Sequence, residues 1–312
     1  MKLKAAIIFC CFFLLASFSK SFAQYYFYDD NYYDNPVLFE IGGSIGIMNC
    51  LTDIGGKKGI GKKFIKDLNI NKTRFAGSVY VSATFNNMIA LRLEGSFGEI
   101  AGADSVLKSV AASTKGRYER NLSFRSRITD IALTAEFHPL LVFRGKNNDR
   151  AISRLSPYLV AGIGYFSFNP EAKLKNNWIA LQPLRTEGQG FKEYPDRTPY
   201  KLKQVCVPVG AGGRYELSQM FNLRAEIIYR ILQTDYLDDV STSYIDADLF
   251  AIYLSPNRAA QAALLHSRRY ELEPGYTQNV GGIRGYPQNN DGYFTFNLKL
   301  GMILGRQRIK KY

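Results

Sequence analysis

Tyr293–Leu304, read as YFTFNLKLGMIL, alternates between two chemical faces. Phe294, Phe296, Leu298, Leu300, Met302 and Leu304 share one face, and Tyr293, Thr295, Asn297, Lys299 and Gly301 share the other. A period of two is the signature of a β-strand with one apolar and one wet side. The segment is long enough to cross a bilayer, since a tilted membrane strand needs roughly 9–11 residues. Similar segments recur upstream, and together they predict an all-β fold: an antiparallel, up-and-down transmembrane barrel of about eight strands.

The other seven predicted strands are 37–48, 74–85, 88–98, 122–137, 157–168, 204–217 and 221–231. In the first, Phe39, Ile41, Ile45 and Ile47 oppose Glu40, Gly42, Ser44 and Gly46. In the seventh, Phe221, Leu223, Ala225 and Ile227 oppose Asn222, Arg224 and Glu226. The fifth is too apolar on both faces for its orientation to be read, and Pro208 weakens the sixth because proline removes a ladder donor. Asn86-Asn87 and Ser218-Gln219 read as tight turns. Long connections follow strands one, three, five and seven, and short ones follow two and six. Bacterial barrels share this asymmetry, with long extracellular loops and short periplasmic turns. Inside the longest connection, Ser255-Pro256 opens a predicted helix through Ala259, Ala260, Ala263 and Leu264, read as a loop helix over the barrel mouth.

The chain begins with Lys2 and Lys4, an apolar run from Ala5 to Phe18, and Ser21-Phe22-Ala23, the pattern of a cleaved export signal. Residues 1–23 are therefore read as the signal peptide and 24–36 as an aromatic-rich periplasmic segment. Residues 37–305 are read as the barrel and 306–312 as a basic tail. No later stretch has the roughly 18 consecutive apolar residues of a membrane helix, so a membrane-embedded mature chain must be a closed barrel. The 21 Tyr, 21 Phe and 27 Gly residues suit strands, interfacial girdles and turns. The formal charge of +13 is spread along the chain. With export, that spread favours anionic lipid or an acidic protein over nucleic acid. Cys50 and Cys206 are the cysteines of the mature chain; their spacing alone does not decide whether they bond.

On the predicted inward faces lie Glu40, Arg92, Glu94, Asp130, Glu136, Arg214, Glu216, Arg224, Glu226, Arg230 and Lys299. A barrel of eight strands is just wide enough for side chains to fill it. Charges of both signs then predict an interlocked ion-pair network rather than a wide channel. No enzyme, cofactor or metal site is predicted. His138 is placed at the periplasmic rim after strand four, and His266 lies in the loop helix, with no nucleophile assembled beside either. Asp235, Asp238, Asp239, Asp246 and Asp248 lack the ligand spacing and central glycine of a calcium loop and read as a solvated turn.

Several stretches resemble the PorG-like outer-membrane barrels associated with type IX secretion. They are EIGGSIGIMN, LTDIGG, RNLSFRSRITDIALTAEFHPL, SPYLVAGIGYFSFNP, LQPLRTEGQG, QTDYLDDVSTSY and RGYPQNNDGYFTFNLKLGMILGR. The resemblance runs from Phe39 to Arg306. It is most specific at 234–240, with Asp235, Tyr236, Asp238 and Asp239, and at Arg284-Gly285 and Asn290-Asp291. It implies location in the cell outer membrane and a structural or anchoring role in a secretion assembly, with periplasmic machinery proteins as partners. The alternative is a small barrel that binds or passes a small ligand or ion through its loops and lumen. In the anchoring reading, the tyrosines among Tyr25–Tyr33 form a sticky periplasmic segment.

Overall fold

The computed structural model describes residues 32–55, 72–139 and 155–308. The predicted signal peptide and residues 24–31 of the aromatic segment lie outside that range. Among the described residues ten strands form one sheet: β1 Tyr32–Leu51, β2 Arg74–Phe85, β3 Ile89–Ala103, β4 Ser123–Phe137, β5 Leu155–Ser167, β6 Pro170–Leu174, β7 Asn177–Ala180, β8 Lys203–Glu216, β9 Phe221–Leu232 and β10 Gly292–Arg308. The order is β3-β2-β1-β10-β9-β8-β5-β4, and β3 pairs with β4 to close the ring. This is an eight-stranded antiparallel barrel. The β6–β7 hairpin extends the sheet beyond β4 at one rim.

The register fixes the barrel's shape. Stepping from Phe39 to Ala83, Leu91, Ala135, Ala161, Val209, Tyr229 and Phe294 returns to β1 at Asn49, ten residues further on. That stagger tilts the strands by roughly 35–45° and leaves an interior that side chains fill.

Side chains alternate as the sequence pattern requires, but the arrangement is inverted relative to a water-soluble protein. Phe39, Ile41, Val79, Leu93, Ile131, Ile163, Ile227 and Leu298 all face outward and are exposed. The residues between them on each strand face inward and are largely buried. The β5 pattern is also resolved, with Leu159, Ile163 and Tyr165 outward and Ser156, Tyr158, Val160 and Phe166 inward.

Two local signals work as their chemistry suggests. Asn86 and Asn87 both adopt positive φ, 47° and 58°, and the Met88 amide donates to the Phe85 carbonyl at 3.0 Å. This is the type I′ geometry that matches strand twist. Pro208 stays within β8; the β5–β8 ladder steps from Ala161↔Val209 to Gly164↔Cys206, passing over the missing donor.

Other expectations need correction. Strand β1 starts at Tyr32 and β10 ends at Arg308, so the seam uses residues assigned to the N-terminal segment and the basic tail. Beyond a register shift between Asp34 and Phe39, Tyr32–Asp34 pair with Arg308–Arg306, and each segment satisfies the other's backbone. The sequence pattern does not predict the β6–β7 hairpin or the helix α1 Ala111–Arg120. The hairpin strands are too short to show a period, and α1 carries no apolar stripe.

The loops at one end pack into a cap, in which Ile54, Phe168, Leu184, Phe191, Leu237, Val240, Phe250 and Leu265 share one core with inward strand residues such as Met48, Ile100, Ile128 and Phe166. Aromatic rings stack through it, Phe168 on Tyr200 at 6.0 Å and Tyr200 on Tyr236 at 4.9 Å. The helices α2 Leu249–Tyr253 and α3 Pro256–His266 complete it. The predicted loop helix is thus present. Its buried face is Ala259, Ala262, Leu265 and His266, while Ala260, Ala263 and Leu264 are exposed.

Replacing Asn86 and Asn87 together by Ala should destabilise the barrel by about 2–4 kcal/mol, because each must keep a left-handed backbone. Asn87→Gly should cost nothing measurable. Urea unfolding of the refolded protein, followed by intrinsic fluorescence, distinguishes the two.

Candidate functional site

Among the described residues, the lumen gathers the largest set of buried charges. Glu40, Arg92, Glu94, Asp130, Glu136, Arg214, Arg224, Glu226, Arg230 and Lys299 all lie buried inside it, with Glu216 half-buried at its end.

Alternation along eight strands puts these groups in one space, and the register sets their heights. Arg92 on β3 reaches Glu94 at 3.1 Å, Glu136 on β4 at 2.8 Å and Glu226 on β9 at 2.9 Å. Arg224 on β9 bridges Glu40 on β1 and Glu136, each at 2.7 Å. Lys299 on β10 joins Glu94 at 2.5 Å and Glu226 at 2.7 Å. Arg230 pairs with Asp130 at 2.8 Å, nearer the cap, and Arg214 stands 3.9 Å from Glu216. Each of the first three cations crosses the lumen to carboxylates on other strands.

Neutral donors complete the lattice. The Tyr80 hydroxyl donates to Glu40 at 2.5 Å, Tyr158 to Glu226 at 2.9 Å, Tyr293 to Asp130 at 2.9 Å and Ser78 to Glu94 at 2.5 Å. The Tyr80 ring also lies 5.8 Å from the Arg224 guanidinium and 5.0 Å from the Lys299 ammonium, within cation–π range. Gly301 makes room for this layer. A Cβ there would collide with the Glu40 carboxylate and the Tyr80 hydroxyl.

His138 stands just past the end of β4, where the sequence places it, but it is fully buried, with Nδ1 2.9 Å from Ser156 Oγ and Nε2 3.6 Å from Glu136. Its place two residues after Glu136 keeps it on the inward face, a signal the alternation already contained. Ser156, His138 and Glu136 stand in the order of a hydrolytic triad. Here, however, Ser156 is buried and Glu136 is bound by two guanidiniums, so we assign the trio to the lattice.

The cap holds a second polar system. Asp104 accepts from Arg120 Nε at 2.8 Å and Nη2 at 2.9 Å, and from the Gly55 and Leu122 amides at 3.0 Å. Glu187 accepts from the Ser241 and Thr242 amides at 3.0 and 2.9 Å and pairs with Arg284 at 2.9 Å. Asp239 accepts from Thr186 at 2.5 Å and Tyr200 at 2.7 Å. Burial raises its carboxyl to about 6, against the lowering effect of Arg284. His266 Nδ1 lies 2.7 Å from the Thr186 carbonyl, and burial with Arg284 nearby lowers the ring to about 4.

These contacts overturn the solvated-turn reading in part. Asp235, Asp238 and Asp239 are buried, while Asp246 and Asp248 are exposed. The first three are drawn inward because the cap core forms around Leu237 and Val240 beside them. Tyr236 is half-buried in the aromatic stack. Gly285 sits so close to the Ser241 backbone and Asp53 that a Cβ would lie 2.6 Å from Asp53 Oδ2. Asp291 accepts from the Leu237 amide at 2.8 Å. Cys50 and Cys206 are buried free thiols. Among the described residues, no group of three His, Cys, Asp or Glu side chains converges to hold a metal ion.

No family model matches the chain, and no curated relative matches it. Among solved structures it is similar to Neisserial surface protein A, at 8% identity and TM-score 0.37, over 86% of this chain and 99% of that one. It is similar to the outer membrane protein OprG from Pseudomonas aeruginosa at 10% identity and TM-score 0.36, over 88% and 99%. A major outer membrane protein from Thermus thermophilus matches at 12% identity and TM-score 0.39, over 86% and 100%. The barrel assignment itself rests on this chain's closed strand pairing.

Arg224→Leu should destabilise the barrel by about 3–5 kcal/mol, because Glu40 and Glu136 would stay buried without their shared cation. Adding Glu136→Gln should restore part of that loss. Urea midpoints of the single and double variants test the coupling. Gly285→Ala should instead leave barrel unfolding unchanged and expose the cap to proteolysis near residues 233–245.

Proposed function

We propose that this chain is an integral outer-membrane barrel that anchors a protein assembly, with a type IX-like secretion assembly as the finer assignment. The observation that carries the membrane reading is the inverted barrel. Its outward face is an apolar band on all eight strands, while its charges lie inside. In water that surface would be a severe aggregation hazard; in hydrocarbon it is the required exterior.

The anchoring reading draws on the lumen. Three cations each tie together carboxylates on different strands, and a capped core covers one end. A barrel filled in this way is suited to presenting its ends rather than to passing solutes. The secretion assignment is supported by the PorG-like stretches. Their most specific residues (Asp235, Asp238, Asp239, Gly285 and Asp291) occupy tightly packed positions in the cap.

Affinity purification of the tagged protein from native membranes in mild detergent tests the assignment. The expected result is recovery of periplasmic secretion components, with crosslinks from Tyr26 or Tyr33 to the same proteins. Recovery of the barrel alone, with steady single-channel conductance in planar bilayers, would favour the ligand- or ion-passing alternative. For the membrane reading, Leu298→Arg on the outward face should cost about 2–4 kcal/mol if that position lies near the bilayer midplane. Urea titration of the protein refolded in liposomes measures it, and no loss of stability would count against lipid contact.

A further inference from the structure

The cap buries more negative charge than it pairs. Its buried carboxylates include Asp104, Glu187, Asp235, Asp238, Asp239 and Asp291, and among the described residues its buried guanidiniums are Arg120 and Arg284. Arg120 is engaged by Asp104, and Arg284 by Glu187 with Asp239 at 3.8 Å. Among the described residues, Asp235, Asp238 and Asp291 have no such cationic partner.

These three come from two stretches that flank the longest connection, and Asp53 joins them from the end of β1. Asp238 accepts from the Ile54 amide at 2.8 Å and the Val240 amide at 3.0 Å. Asp53 accepts from the Tyr286 amide at 2.6 Å. The carboxyls therefore bind the cap's segments together. Asp235 supplies a separate observation: only 7% exposed, it has both carboxyl oxygens buried with no donor in hydrogen-bond geometry. An ionised carboxylate in that setting is costly, and the ordinary escape is to take up a proton.

We propose that Asp235, Asp238 and Asp291 form a proton-loaded latch, neutral when the cap is closed, whose loss of protons loosens the cap over the barrel mouth. The absence of a three-ligand metal geometry among the described residues favours protons over a preformed cation cage. The titration directions agree. Burial, then the charge of Asp53, raises Asp235 to about 9 against a lowering contribution from nearby Ser241. The same two causes raise Asp238 to about 8. Burial, then Asp238 and Asp235, raises Asp291 well above the usual range.

With folded values above those of an open cap, the closed state binds more protons, so closure is strongest at low pH and weakens as pH rises through 8 and 9. The other facing groups leave this window clear. From the segment after β3, Arg120 stays charged and paired with Asp104. Arg117 acts on Asp53 from α1. From the strand ends, the Cys50 thiol and the Tyr229 hydroxyl face the cluster and supply no cation to it. From the later loops, Glu187, Asp239 and Arg284 form their own cluster, in which Asp239 loses its proton near 6. His266 on α3 gains a proton only near 4, and Tyr200, Tyr236 and Tyr244 are raised above their ordinary 10.

The test uses the full chain refolded in lipid bilayers, with hydrogen exchange of peptides in 233–245 and 283–292 corrected for intrinsic rates. Cap opening should rise at least about tenfold between pH 6.5 and 9. The variant Asp235→Asn/Asp238→Asn should flatten that rise while keeping barrel protection. Carbon-13 spectra of aspartate-labelled wild type give a second readout, expected to show carboxyls titrating above pH 7. Carboxyls that all titrate below pH 5, as they would when paired with a cation, would overturn the latch. So would equal corrected opening at both pH values.

Discussion

Charge buried in a confined space sets the terms for the whole molecule. Moving a guanidinium or a carboxylate out of water costs several kcal/mol unless partners surround it. In this lumen the partners come from strands far apart in sequence. Arg92 needs β4 and β9, Arg224 needs β1 and β4, and Lys299 needs β3 and β9. Closure of the ring is what brings them together. The apolar exterior makes the barrel acceptable to lipid and fixes the parity of the register, but the inward charges choose among registers of the same parity. A slip of two residues on β9 would keep Arg224 inward yet carry it away from the carboxylates of Glu40 and Glu136 that share it.

The cap follows a different logic. Its polar groups are satisfied largely by backbone amides and by two arginines, and its apolar core joins loop residues to inward strand residues such as Met48, Ile100, Ile128 and Phe166. The barrel's mid-lumen thus rests on strand pairing with ion pairs, while its capped end rests on apolar and aromatic packing shared between strand ends and loops, with carboxyl–amide bonds. Gly301 and Gly285 show the same device in each: a missing side chain lets a carboxylate approach the backbone.

Strand content was legible because a period of two survives in any sequence that separates lipid from lumen. The inward residues from Glu40 to Lys299 could be named from parity alone. Parity does not show depth or partners, so Tyr80, Tyr158 and Tyr293 as donors to the carboxylates emerge only once the register is known. His138 was readable by the same parity and was obscured by its place at the strand end. The cap was largely illegible. Asp235, Asp238 and Asp239 look like surface acids in sequence, and their burial follows from the core that Leu237 and Val240 share with segments no local pattern connects to them. The β6–β7 hairpin and α1 lacked any amphipathic signature.

The seam between β1 and β10 has a consequence for assembly order. Lys299 lies on the final strand, yet it neutralises Glu94 on β3 and Glu226 on β9. Until the last strand docks, both acids must remain wet or underpaired, and any sheet lacking β10 carries that penalty with two open edges. The chain thus contains its own completeness check. A sheet closed without β10 would leave Arg92 as the one cation shared by Glu94, Glu136 and Glu226, which disfavours a shorter ring.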